Sequence, residues 1–153
     1  MLKLAQEKPA ASILWPENTA ILKRILSNTS TALLQGDYVF SAKTSGELIC
    51  LEAGTGKEVW QTNSVTDLKN GSSIHLTSNG DSVFLFTNEG NLIRARLSSR
   101  GYQELSRTHL LEPTCPFNGR NVVWPPPAYA NQQVFARNDK LLVCAWLGAE
   151  RRK

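Results

Sequence analysis

Residues 36–60, GDYVFSAKTSGELICLEAGTGKEVW, determine the fold class of this chain of 153 residues. The aromatic and branched residues at 38–42 predict a β-strand, and Thr44-Ser45-Gly46 predicts a turn in which glycine adopts positive φ. The apolar run at 48–51 predicts the returning strand. A second glycine turn, at 54–57, leads into a third strand. Such a unit cannot bury its apolar surface alone, so it requires neighbours of the same kind.

The neighbours are present as repeats of the same pattern. Residues 80–84 (GDSVF) repeat residues 36–40 (GDYVF) at an offset of 44. A third copy carries VFA at 134–136 and LVC at 142–144, with a turn one residue shorter. A period of about 44 residues with several strands in each period is typical of β-propeller blades.

The N-terminal residues predict the end of an incomplete blade. Leu2-Lys3-Leu4 alternates like a strand, and a second short strand follows at 12–15. Trp15 lies 45 residues before Trp60, in the equivalent position of the repeat. A closed propeller takes at least about four blades, and this chain holds roughly three and a half. We therefore expect a C-terminal fragment of a longer propeller.

The stretch 46–60 resembles the PQQ-like (quinoprotein-type) β-propeller repeat, which reads roughly Gly-x-Leu-x-Ala/Cys-Leu-Asp/Glu-Ala-x-Thr-Gly-Lys-x-x-Trp. The resemblance covers most of residues 29–147, although the second copy lacks the Thr-Gly-Lys-Trp element. It implies an all-β fold, a propeller segment of about three to three and a half four-stranded antiparallel blades. It also implies that four residues dock each blade onto the next: Thr55, Gly56, Lys57 and Trp60.

The repeat divides a single propeller region, 1–153, into successive units. We expect the end of a preceding blade and a linker at 1–28, blades at 29–64 and 65–111, a proline-rich loop at 112–127, a last partial blade at 128–147 and a tail at 148–153. The proline-rich loop explains why Phe84 and Phe135 are 51 residues apart, seven more than the period of 44.

The composition excludes several classes of protein. Hydrophobic residues make up 41% and charged residues 20%, which is typical of a globular protein. The net charge of +4 comes largely from the chain ends, so no basic stripe predicts nucleic-acid binding. No apolar run approaches the roughly 20 residues of a membrane-spanning helix. The N-terminus lacks the apolar segment of a signal peptide.

Seven residues are candidates for binding: His75, Arg94, Arg96, Arg120, Trp124, Arg137 and Asp139. His75 lies on the predicted innermost strand of the second blade, facing either the central channel or a structural hydrogen-bond partner. Arg94 and Arg96 share one face of a strand, where they bind an anion or form salt bridges to a neighbouring blade. Trp124 belongs either to a binding loop or to the packing between blades.

No pattern in the chain predicts catalysis. Cys50, Cys115 and Cys144 are widely separated, which predicts neither a zinc site nor a disulfide framework. Motifs of hydrolases, nucleotide-binding proteins and zinc peptidases do not occur. Quinoprotein dehydrogenases use an adjacent cysteine pair, a catalytic Asp and calcium-binding Glu and Asn residues, and this chain has no adjacent cysteines. We therefore predict no catalytic residue, no metal ligand and no cofactor.

The resemblance implies a non-enzymatic scaffold for protein–protein contact in the bacterial envelope, located in the periplasm. Its partner would be another protein or the missing blades of the same propeller. The alternative is a portion of a quinoprotein oxidoreductase, with PQQ and calcium bound by residues on missing blades. A third hypothesis, a carbohydrate- or polymer-binding face, depends on Arg120, Trp124 and Tyr129.

Overall fold

The computed structural model describes residues 1–15, 26–27 and 29–148. Within these ranges the chain forms strands joined by turns, and no helix in them is long and apolar enough to cross a membrane. The strands are β1 Leu2–Leu4, β2 Ala11–Ile13, β3 Leu33–Gln35, β4 Tyr38–Ala42, β5 Leu48–Glu52, β6 Glu58–Thr62, β7 Ile74–Asn79, β8 Ser82–Thr87, β9 Asn91–Ser98, β10 Gly101–His109, β11 Cys115–Phe117, β12 Arg120–Val122, β13 Ala128–Ala130, β14 Gln133–Arg137 and β15 Leu142–Trp146.

The strands form successive antiparallel sheets, one for each repeat. Blade one contains β3 to β6 and blade two contains β7 to β10, each with its four strands in chain order. Blade three contains the three strands β13, β14 and β15, and the N-terminal hairpin contains β1 and β2. The predicted fold class, an all-β propeller segment, is confirmed.

The segment 112–127, predicted to be a loop, contains an additional hairpin formed by β11 and β12. Its turn is Asn118-Gly119, in which both residues have positive φ, 47° and 76°. Asn-Gly is a strong hairpin signal, but the short proline-containing strand before it obscured the pattern. Two of the expected segments lie largely outside the described residues. They are the linker, at 16–25 and 28, and the tail, of which residues 149–153 are not described.

Alternating residues of the inner strands face opposite neighbours. In β4, Phe40 packs between blades one and two, whereas Val39 faces the N-terminal hairpin. In β8, Val83 packs towards blade one, whereas Phe84 stacks on Tyr129 of blade three with ring centroids 5.2 Å apart. Successive side chains of a strand point to opposite faces, so the repeated Val-Phe pair places valine towards the preceding blade and phenylalanine towards the following one.

Three apolar clusters fill the spaces between consecutive sheets. Between blades one and two lie Phe40, Ala42, Leu48, Cys50, Val65, Ile74, Leu76, Val83, Leu85, Ile93, Ala95 and Leu97. Between blades two and three lie Phe86, Leu92, Leu111, Val123, Val134 and Ala136. Between the N-terminal hairpin and blade one lie Trp15, Val39, Ile49 and Leu51. Strands β4, β5 and β8 are therefore buried on both faces, which explains their nearly continuous apolar sequence, whereas β9 carries the exposed Arg94 and Arg96.

Trp15 and Trp60 make the same contact in consecutive sheets. Trp15 Nε1 donates to the Ala53 carbonyl at 2.7 Å, and Trp60 Nε1 donates to the Ser98 carbonyl at 2.8 Å, each 38 residues ahead. The Trp15 ring also lies over Gly56, where a Cβ atom would come within 2.5 Å of the ring. The Thr-Gly-Lys turn thus receives a tryptophan from the preceding sheet.

We expect Gly56→Ala to destabilise the protein, because Gly56 has a φ of +72° and its missing side chain leaves room for Trp15. The left-handed conformation alone costs a non-glycine residue about 1–3 kcal/mol, and displacement of the ring adds to this. Urea denaturation would measure the loss. Gly54→Ala is the matched control, since a Cβ atom added at Gly54 would meet nothing within 4 Å. Equal losses in the two variants would contradict the proposed packing.

Candidate functional site

Asn88 is the centre of a buried polar cluster where three segments of the chain meet. It lies in the turn between β8 and β9 and is fully buried. Its Oδ1 accepts hydrogen bonds from the Thr66 hydroxyl at 3.0 Å and the Ser73 N–H at 3.1 Å, while Nδ2 donates to Asp67 at 2.9 Å. The Val123 N–H donates to the Asn88 carbonyl at 2.8 Å. Asn88 therefore connects blade two with the segment before it through its side-chain amide and with the segment after it through its backbone carbonyl.

Asp67 and Arg120 form an ion pair beside Asn88. Arg120 Nη1 lies 3.1 Å from Asp67 Oδ2, and the two side chains are only 13% and 15% exposed. Ser72 Oγ donates to Asp67 Oδ1 at 2.7 Å. Arg120 Nη2 also donates to the Asn70 carbonyl at 3.3 Å. Arg120, a candidate for ligand binding, is thus engaged by the loop that precedes blade two.

The surroundings of Asp67 keep its carboxylate ionised. Burial acts to raise the pKa of Asp67, but hydrogen bonds from Asn88 and Ser72 and the charges of Arg120 and Lys69 outweigh burial and lower it. A carboxylate with a lowered pKa and several hydrogen-bond donors is a poor general base. The cluster is suited to holding loops together rather than to proton transfer.

His75 and Trp124 lie together next to this cluster. His75 is buried, and its Nε2 lies 3.1 Å from the Trp124 carbonyl, to which it donates when protonated at that nitrogen. The Trp124 ring meets Phe117 edge to face, with centroids 4.9 Å apart. A Cβ atom on Gly71 would come within 2.2 Å of the Phe117 ring. This geometry favours the structural alternative for both His75 and Trp124.

The other candidate residues lie elsewhere. On β9, Arg94 Nε donates to Ser82 Oγ at 3.1 Å, and Arg96 pairs with the exposed Asp81 at 3.3 Å. Arg137 is exposed at the end of β14. The Asp139 N–H donates to Thr114 Oγ1 at 3.2 Å. The seven candidates therefore belong to three separate regions: the Asn88 cluster, β9, and the turn between β14 and β15.

The docking candidates Thr55 and Lys57 stabilise their own turn. Thr55 Oγ1 donates to Glu52 Oε2 at 2.7 Å and accepts from the Lys57 N–H at 3.2 Å. These bonds shape the turn that receives Trp15.

Sequence reasoning missed Asp67 and Asn88, because each stands among ordinary turn formers and its partners come from other segments.

The family model described as "Outer membrane protein assembly factor BamB" matches residues 8–145. The chain belongs to this BamB family of PQQ-repeat propellers. No curated protein matches the chain.

Solved structures with a similar fold include a europium-containing methanol dehydrogenase, 16% identical with a TM-score of 0.52 over 88% of this chain and 30% of that one. The Cps50 (Swd1) β-propeller domain of Myceliophteria thermophila is 13% identical, with a TM-score of 0.52 over 93% of this chain and 50% of that one. BamB from Moraxella catarrhalis is 17% identical, with a TM-score of 0.48 over 69% of this chain and 29% of that one. This BamB-family chain thus spans at most half the length of these proteins.

The described residues of this BamB-family chain form no cluster of metal-ligating side chains. Calcium takes six to eight oxygen ligands, several of them carboxylates. No group of three or more His, Cys, Asp or Glu residues in the described ranges could hold a metal ion. Asp67 and Asn88 lie close together, but they already bond to one another and to neighbouring side chains.

We expect Arg120→Ala to cost about 3 kcal/mol of unfolding free energy, because it leaves the largely buried Asp67 carboxylate with only the more distant and exposed Lys69 as a cation. Arg100→Ala, at an exposed turn, is the matched control and should stay within about 0.5 kcal/mol of wild type. Urea denaturation would measure the unfolding free energies of Arg120→Ala, Asp67→Ala and the variant that combines them. These values give the coupling energy between Arg120 and Asp67. A coupling energy near zero would show that the two residues act independently.

The stability of the protein should depend on the protonation of His75. Burial lowers the pKa of His75, although its hydrogen bond to the Trp124 carbonyl opposes this. The unfolded chain therefore binds the proton more readily, and stability falls as the pH drops below about 6.5, the ordinary histidine value. Urea denaturation between pH 7.5 and 5.5 should show this loss. His75→Gln should reduce it and the exposed-site control His109→Gln should not; an unchanged slope in His75→Gln would contradict the assignment.

Proposed function

We propose that this chain is a non-enzymatic scaffold that binds another protein of the bacterial envelope through blade three. The observation that carries the proposal is a cluster of exposed apolar side chains on blade three. Leu141, Leu142 and Trp146 are 60%, 71% and 42% exposed. Clustered apolar residues at a protein surface mark interaction sites.

The register of blade three supports this reading of its surface. Phe135 pairs with Cys144, as Phe40 pairs with Cys50 in blade one. In blade one that face is covered by blade two, and Phe40 and Cys50 are fully buried. The equivalent face of blade three, which we call the terminal face, consists of Phe135, Leu142, Cys144 and Trp146 and has no described blade against it. It therefore has the composition of an inter-blade surface.

The family supports the location and the type of partner. Its description as an outer membrane protein assembly factor favours a periplasmic protein that acts through protein–protein contact. The chain spans 30% of the methanol dehydrogenase and 50% of the Cps50 propeller domain, so we also propose that it forms part of a longer propeller. Missing blades of that propeller are then the competing occupant of the terminal face.

A photo-cross-linking experiment in the source bacterium separates these occupants. The full gene product would carry a photoreactive amino acid at position 142, and at the exposed position 103 on β10 as the control. Cross-links from 142, but not from 103, to a protein of outer-membrane assembly are the expected result. Cross-links from 142 only to other blades of its own chain would overturn the proposed partner.

The competing hypothesis, a portion of a quinoprotein oxidoreductase, has a direct binding test. Calorimetric titration of the full gene product with PQQ in the presence of calcium should give no saturable heat. Saturable binding with a micromolar or lower dissociation constant would overturn the scaffold proposal in favour of the oxidoreductase.

A further inference from the structure

Three asparagine–glycine pairs occur in the chain: Asn70-Gly71, Asn79-Gly80 and Asn118-Gly119. In such a pair the backbone nitrogen of the glycine can attack the side-chain amide of the asparagine. Glycine hinders this attack least, because it has no Cβ atom and the widest range of backbone conformations. The three pairs lie in different surroundings, and these surroundings determine which of them can react.

The pair Asn70-Gly71 is held by its backbone. The Gly71 N–H donates to the Thr44 carbonyl at 2.9 Å. Gly71 is buried, and the Phe117 ring lies within 2.2 Å of the place that a Cβ atom would take. Attack by the Gly71 nitrogen requires the bond to Thr44 to break and a buried peptide to rotate. The fold therefore protects Asn70.

The pair Asn79-Gly80 is held by the asparagine side chain. Asn79 Nδ2 donates to Ser82 Oγ at 3.2 Å, and Ser82 Oγ donates to the Asn79 carbonyl at 2.9 Å. Ser82 is buried and pairs with Asn79 across β7 and β8. The amide of Asn79 is therefore fixed towards Ser82 and away from the nitrogen of Gly80.

The pair Asn118-Gly119 lacks both kinds of restraint. The two residues are exposed and form the turn of the β11–β12 hairpin, whose flanking residues Phe117 and Arg120 pair with each other. In a two-residue hairpin turn the backbone bond joins the flanking residues and leaves the central amides to solvent. No described residue bonds to the Asn118 side chain or to the Gly119 N–H. A Cβ atom added at Gly119 would meet nothing within 4 Å, so the turn has space to rearrange.

We propose that Asn118 is a site of deamidation, a modification that needs only solvent water. The Gly119 nitrogen attacks Asn118 Cγ and forms a new C–N bond. The side-chain nitrogen takes up the proton of the Gly119 N–H and leaves as ammonia, which closes a five-membered succinimide ring. Water then opens the ring at either carbonyl and gives aspartate or isoaspartate.

The isoaspartate product changes the hairpin, because it adds a methylene group to the backbone between residues 118 and 119. A two-residue turn requires defined dihedral angles at both central positions, and a longer backbone cannot reproduce them. The flanking residues hold the hairpin in place, since Phe117 meets Trp124 and Arg120 pairs with Asp67. Conversion of Asn118 to isoaspartate therefore loosens the hairpin from the loop that precedes blade two.

Peptide mapping by mass spectrometry tests the site on the full chain, incubated folded in mildly alkaline buffer. We expect conversion at Asn118 to be about tenfold faster than at Asn70 or Asn79, because each of these must first break a hydrogen bond. The same chain unfolded in urea is the control, and in it the three pairs should convert at similar rates. Hydroxylamine, which cleaves at the succinimide, should give fragments 1–118 and 119–153 from the folded protein.

Protein variants separate the contributions of the turn and of the protecting bonds. Asn118→Gln should abolish the cleavage by hydroxylamine. Asn121→Gln is the matched control, because Asn121 is exposed on the same hairpin but precedes valine, and it should leave the cleavage unchanged. Ser82→Ala should raise the rate at Asn79 towards that of Asn118 and leave the rate at Asn118 as it was. Circular dichroism would verify that each variant is folded.

The effect on the hairpin is measured by hydrogen exchange at residues 115–122. Exchange should be faster in the isoaspartate fraction, purified by ion exchange, than in Asn118→Asp, which carries the same charge on a normal backbone. Equal exchange in the two would overturn the effect on the hairpin. Equal rates at the three pairs in the folded protein, or no faster reaction at Asn118, would overturn the site itself. The proposed scaffold function does not depend on either result.

Discussion

The structure depends on burying both faces of each central strand between neighbouring sheets. Phe40 and Ile49 are completely buried although they face opposite sides of blade one. Burial of one such side chain contributes about 1.5–3 kcal/mol, whereas an exposed ion pair such as Arg96–Asp81 contributes about 0–1 kcal/mol. Packing between blades therefore dominates the stability, and an isolated blade one would expose both of its apolar faces.

Polar contacts determine how the loops cross from one blade to the next. Asn88 and Asp67 have little contact with solvent, and their hydrogen bonds join residues 21 positions apart in the chain. A buried polar group is costly when a partner is removed, so these contacts favour one arrangement of the loops over others. Asp67 also forms an ion pair with Arg120, which explains why this arginine in a proline-rich segment does not offer a free cation.

The repeating architecture also determines which apolar side chains are buried between blades and which are exposed. In blades one and two the apolar faces meet neighbouring sheets, and the two central strands of each blade are paired along both edges. In blade three, Leu141 and Leu142 are exposed. The exposed residues Leu142 and Cys144 of blade three thus correspond to Leu48 and Cys50, which serve packing in blade one.

The sequence by itself determined the strands and their repetition. Residues 36–60 predicted β4 and β5 almost to the residue, because alternating apolar runs bounded by glycine turns are local signals. The docking role of Trp60, inferred from resemblance, remains a prediction, although its indole bonds to the Ser98 carbonyl of the next blade. The Asn118-Gly119 hairpin was also encoded locally but was overlooked within a proline-rich segment.

Only the tertiary structure decided the pairing of Asp67 with Arg120 and the role of Asn88. Asp67 and Arg120 lie in different connections, before and after blade two. Nothing in the sequence around either residue specifies which side chain it will meet, since that depends on how two blades pack. Local strand propensity can be read along the chain, whereas hydrogen bonds and grooves between distant segments exist only after those segments are brought together.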